Sequence, residues 1–114
     1  MTDPELSGWP ETGEHRILFA VERPVWVDML RVFPGLGSWG RQDQLAMWIK
    51  AGGLRLEPWM PGRQVAWIRR ADGGWLTRVC VPATSTNRQA CVTLQLWVEP
   101  AAVATGPPWG VDQW

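Results

Sequence analysis

One histidine, two cysteines and eleven carboxylates are the residues of this 114-residue chain best suited to move protons, bind metals or attack electrophiles. Their spacing assembles none of the common reactive centres. His15 opens the apolar run HRILFAV and reads as a strand-edge residue; alone, it supports neither a Ser/His/Asp nor a Cys/His arrangement. Cys80 and Cys91 form no CxxC, and with one imidazole a zinc site would need carboxylates at a ligand spacing that the sequence does not show. The glycines of PGLGSWG (34–40) have neither the Lys-Ser/Thr ending of a P-loop nor the GxGxxG spacing. The expectation is a protein without catalysis, cofactor or metal.

Recognition chemistry is better represented. Ten residues are tryptophan and none is tyrosine, and arginine outnumbers lysine ten to one, with Lys50 alone. A single asparagine (Asn87) and three isoleucines indicate that GC-rich codons account for part of this bias. The rest is packing or binding, because each tryptophan brings a large apolar body and an N–H that needs a partner when buried. Charge sums to zero but is unevenly spread: residues 1–22 carry five acids against Arg16, and residues 41–88 carry eight bases against three acids. A segment with that excess suits an anionic partner, unless the acidic stretch folds over it.

The elements that must position these groups follow from periodicity. Residues 15–100 read as one α+β domain, between an acidic stretch (1–14) and a Pro/Gly/Trp-rich one (101–114), both read as mobile tails. A strand is expected over 15–21. A helix is expected over about 24–33, where Trp26, Met29, Leu30 and Phe33 recur at helical spacing after Pro24; the β-branched Val25, Val27 and Val32 leave a strand as the alternative. A second helix is expected over about 41–51, with Leu45, Trp48 and Ile49 as its stripe and Gly52 as its stop. Leu54 and Leu56 begin a short strand ended by Pro58, and WMPG (59–62) reads as a turn. An antiparallel meander of 64–70, 75–81 and 89–98 follows, its first turn marked by Asp72-Gly73-Gly74.

In the last strand Val92, Leu94, Leu96 and Val98 alternate with Cys91, Thr93, Gln95 and Trp97, which places the first set on the core. The simplest loop register sets Val79 opposite Val92 and Cys80 opposite Cys91, close enough for an oxidisable pair. A two-residue first turn puts Ala66 and Ile68 on the core face and gathers Trp67, Arg69, Arg78, Gln95 and Trp97 on the other. Arginine interleaved with aromatics on an open sheet suits a protein interface, or stacking on single-stranded nucleic acid. The alternatives are arginine stacked on a cross-strand tryptophan, or a face covered by a helix or tail.

Two helices before an Arg-bearing hairpin also match the order of a winged helix, with Arg41, Gln42 and Gln44 reading base edges, although a neutral chain is poorly charged for duplex binding. Arg88, Trp109 and Trp114 are further binding candidates, as is Trp9. The expected function is a non-enzymatic, cytoplasmic binding module: an adaptor, inhibitor or assembly protein from a mobile element or virus of a GC-rich bacterium. Its expected partner is another protein, with nucleic acid as the alternative and no membrane.

Overall fold

The computed structural model describes residues 8–9, 15–36 and 45–108. Five antiparallel strands form one sheet: β1 (Leu18–Asp28), β2 (Trp59–Arg69), β3 (Trp75–Thr84), β4 (Cys91–Val98) and β5 (Val103–Ala104), in the order β4-β3-β2-β1-β5. Two short helices, α1 (Met29–Val32) and α2 (Met47–Gly52), complete the expected small α+β domain. No helix among the described residues is long and apolar enough to cross a membrane.

The core lies on one face of the sheet. Val25 and Val27 of β1, Met60 of β2, Val79, Val81 and Ala83 of β3 and Val98 of β4 pack with Met29 and Ala102. Alternation puts these residues on a common side, and burying them drives the fold.

The segment expected as a helix over 24–33 is mostly strand, and only Met29–Val32 is helical. Val25, Val27 and Met29 are all buried, so period two overrides the helical spacing of Trp26, Met29, Leu30 and Phe33. Asp28 then caps α1, its carboxylate accepting from the Leu30 N–H at 3.2 Å and pairing with Arg31 at 3.4 Å. The expected WMPG turn is likewise strand, paired Asp28 to Trp59 and Val25 to Gly62. Of the second helix, residues 41–44 lie outside the described residues, Leu45 and Ala46 precede the first helical residue, and α2 ends at the expected stop, Gly52. The chain also continues past Pro100 through one 3-10 turn (Pro100–Ala102) into β5, which pairs with Trp26 and Val27.

Three prolines sit inside strands at no cost in sheet bonds. Backbone hydrogen bonds Met29 N–H to Pro58 O and Ser85 N–H to Ala90 O set the phase of the ladders. By alternation, Pro24 (opposite Arg63), Pro61 (opposite Trp26) and Pro82 (opposite Thr93) all fall in non-hydrogen-bonded pairs. Each missing N–H therefore faces a side on which no strand is paired at that point. Gly62 is needed for a different reason: a Cβ there would lie 2.7 Å from the Cys80 carbonyl oxygen.

Two register expectations are corrected. Arg70 and Gly74 close the β2–β3 hairpin around three residues, Ala71-Asp72-Gly73, with Gly73 at φ 91°, instead of two. The extra residue shifts the phase by one. Trp67 therefore opposes Thr77 and Arg69 opposes Trp75 on the core side, while Ala66 opposes Arg78 and Ile68 opposes Leu76 on the other. A bulge at Val65 restores the original phase, so that Gln64 opposes Val79.

Between β3 and β4 the register is four residues longer than the simplest loop implies. Val79 opposes Leu96, Cys80 opposes Gln95 and Cys91 opposes Thr84. The face of every β4 residue is unchanged by this even shift, but Cys91 lies about 14 Å along the strand from the position opposite Cys80. Ser85 explains the tight loop: its hydroxyl oxygen accepts from the Gln89 and Ala90 N–H groups, each at 3.1 Å, and donates to Asn87 at 2.7 Å. Arg88 makes the reversal with φ 62°.

Candidate interaction surfaces

The residues expected to share one binding face are divided between two. On the core side at the hairpin end, Phe19, Trp67 and Trp75 form an aromatic cluster, with centroids 5.7 Å apart for Phe19–Trp75 and 6.1 Å for Trp67–Trp75. The Arg69 guanidinium lies 4.8 Å from the centre of the cross-strand Trp75 ring, and Arg16 lies 5.8 Å from that of Phe19. On the opposite side Arg78 lies 5.5 Å from the cross-strand Trp97 ring and donates to the Gln95 side chain. The structure thus brings together Arg78, Gln95 and Trp97 and separates them from Trp67 and Arg69.

Burial decides what Arg78 can do. It is 1% exposed, the largest fully buried side chain among the described residues, with Ala66 buried directly opposite. A cation so enclosed serves the fold and is not presented to phosphate. Arg69 is exposed but stacked, and Arg88 is exposed in its loop. Arg41, Gln42, Gln44, Trp109 and Trp114 lie outside the described residues.

On the core side a second polar set, buried at Gln64 and Thr77, links three strands: the exposed Arg23 of β1 donates to the Gln64 side-chain oxygen, whose amide donates to the Thr77 hydroxyl at 2.7 Å, which donates to the Ala66 carbonyl at 2.9 Å. Each link is satisfied, so the set ties β1, β2 and β3 together without offering a reactive group. No group of three or more His, Cys, Asp or Glu residues with metal-binding geometry occurs among the described residues.

Sequence reasoning missed the most exposed apolar feature, α2. Leu45, Trp48 and Ile49 are the apolar stripe of an expected amphipathic helix, yet none of the six residues of α2 is buried; Met47 is 73% and Trp48 76% exposed. Leu45, Ile49 and Leu54 beside them are exposed as well. Helices this short do not hold themselves together in water. α2 is held at its C-terminal end, where the Asn87 N–H donates to the Ala51 carbonyl at 2.8 Å and the Thr86 N–H to the Gly53 carbonyl at 3.1 Å. An Arg55 N–H to Thr84 O bond of 2.8 Å continues this attachment to the β3–β4 loop. The signal available in the sequence was the shortness of the segment between two glycine-containing stretches, which leaves little to pack its stripe against.

A concavity of about 520 Å³ lies between α1 and the end of β4, lined by Leu30, Val32, Pro34, Trp97 and Glu99 among others. Trp97, 37% exposed, forms one wall. The sequence matches no protein-family model, and neither a curated protein nor a solved structure is detectably similar to it.

Proposed function

We propose that this chain is a non-enzymatic protein-binding module whose main contact is the α2 knuckle, with Met47 and Trp48 as its anchors. The observation that carries this reading is a short helix anchored by backbone hydrogen bonds while its large apolar side chains, Met47, Trp48 and Ile49, are exposed. Side chains that contribute nothing to their own core, grouped on an anchored element, match the anatomy of interface hot spots, in which tryptophan is enriched. Protein is favoured over nucleic acid because the cation expected at the centre of the sheet face, Arg78, is enclosed, and single-strand binding needs cations beside exposed stacking rings.

The test is affinity capture with the full chain, with and without nuclease, followed by measurement of the captured protein's affinity for Trp48→Ala and Met47→Ala variants. Each substitution is expected to weaken binding by about 2 kcal/mol or more, the hot-spot range, with little change in melting temperature. Capture that is lost on nuclease treatment, or affinity indifferent to both substitutions, overturns the reading.

A further inference from the structure

We propose that a second copy of this chain pairs with the exposed edge of β4, antiparallel and about a two-fold axis at Leu94, to join two sheets into one. This does not rest on the reading of α2, which lies on a different element.

Among the described residues β4 is the last strand of its side of the sheet. Unpaired edges are usually blunted by lysine, proline, bulges or brevity. β4 has none of these: CVTLQLWV is eight residues long, uncharged, free of proline and regularly paired to β3 throughout. Its core-side residues thin out toward the edge, with Val92 49% exposed and Leu94 and Leu96 half-buried, so a neighbouring strand carrying apolar residues at the same height completes their cover.

Backbone phase selects the register. The Ser85 N–H donates to the Ala90 carbonyl, in line with the β3–β4 ladder, so the even residues of β4 spend their backbone groups on β3. The odd residues, Cys91, Thr93, Gln95 and Trp97, therefore turn N–H and C=O outward. With Leu94 on the axis, all four are satisfied reciprocally: Cys91 meets Trp97 of the second copy and Thr93 meets its Gln95. On the core side Leu94 meets Leu94, and Val92 meets Leu96. An axis displaced to Thr93 or Gln95 leaves an outward-facing residue without its reciprocal partner.

Charge selects the direction. Arg88 precedes the strand and Glu99 follows it, with no charge between. Antiparallel pairing brings Arg88 of one copy to the end where the other has Glu99, twice over, whereas a parallel pair sets like charges together. The edge is thus complementary to itself in backbone, apolar face and terminal charge, which fits a second copy better than an unrelated strand.

The experiment is a sedimentation-equilibrium mass measurement over a concentration series, by analytical ultracentrifugation, on the full chain. A monomer–dimer equilibrium is expected. Thr93→Pro removes an outward N–H and no bond to β3, and is expected to yield a folded monomer by circular dichroism. Should that variant not fold, Leu94→Cys in a Cys80→Ser/Cys91→Ser background decides: mild oxidation is expected to give a covalent dimer, while Val92→Cys, opposite Leu96 in this register, gives none. Reversing one charge with Glu99→Arg is expected to weaken the dimer, and adding Arg88→Glu to restore it. A chain that is monomeric throughout the series, or a dimer that cross-links through Val92→Cys and not through Leu94→Cys, overturns the proposal.

Discussion

Arg78 shows how far a residue's type can mislead about its role. Its sequence neighbours made it the centre of a cationic surface, but enclosed between Ala66, Gln95 and Trp97 its long stem and planar head are core material. Arg78→Ala is expected to remove both the stacking and the packing and to cost about 2–4 kcal/mol in urea unfolding, as large-to-small core changes do. Thr93→Asp, exposed on β4, is expected to leave a folded chain. Asp72 is informative for the opposite reason, being exposed yet tied into its turn. The Gly74 N–H, 3.0 Å away, and then the Arg70 guanidinium hold its carboxyl below the ordinary carboxylate range. A group whose pKa is lower folded than unfolded stabilises the turn above its unfolded value and loses that contribution as pH falls through the folded one. Protection of the Gly74 amide, its exchange measured against the intrinsic rate at the same pH, is therefore expected to fall on acidification below the usual carboxylate range, and Asp72→Asn to remove that change.

At the scale of elements, the sheet separates into a tightly specified centre and a permissive edge. Val81 of β3 is wholly buried and Val92 of β4 half exposed, although alternation assigns both to the core face. Val81→Asp is expected to unfold the domain, because an unpaired buried charge exceeds a stability of about 5–15 kcal/mol or consumes most of it. Val92→Asp is expected to leave a cooperative thermal transition. Gly62→Ala drives a methyl into the Cys80 carbonyl and should destabilise by about 1–3 kcal/mol, the range for overpacking, as read from the shift in urea midpoint. Alternation along β4 was legible because its side chains follow period two without interruption. The placement of Trp67 and Arg69 was not, since it depends on a three-residue turn in place of a two-residue one and on the compensating bulge at Val65. Asp-Gly-Gly is compatible with either turn, and nothing local marks the bulge.

For the whole molecule, the five-stranded order leaves a neutral edge at β4 among the described residues, and α2 adds an exposed apolar knuckle attached to the β3–β4 loop by backbone hydrogen bonds. The positions of the cysteines carry a related expectation: with Cys80 opposite Gln95 and Cys91 opposite Thr84, mild oxidation of the native chain should give no intramolecular Cys80–Cys91 disulfide. Mass spectrometry of non-reduced peptides checks this.

Sequence by itself determined the small α+β class, the existence and polarity of the C-terminal meander and the side taken by each β4 residue, because these follow from local alternation and turn chemistry. Tertiary structure decided the rest. Val25–Asp28 became strand because β2 was there to pair with it, overriding a helical spacing that was equally present in the residues. Cross-strand partners depended on how many residues each turn consumed, and a change of one residue in the first hairpin exchanged faces for Trp67 and Arg69 while a change of four in the next moved the cysteines apart. Exposure was decided last, by what the chain had left to cover each surface: Arg78 was enclosed and Trp48 was not, and neither outcome is encoded within reach of the residue itself.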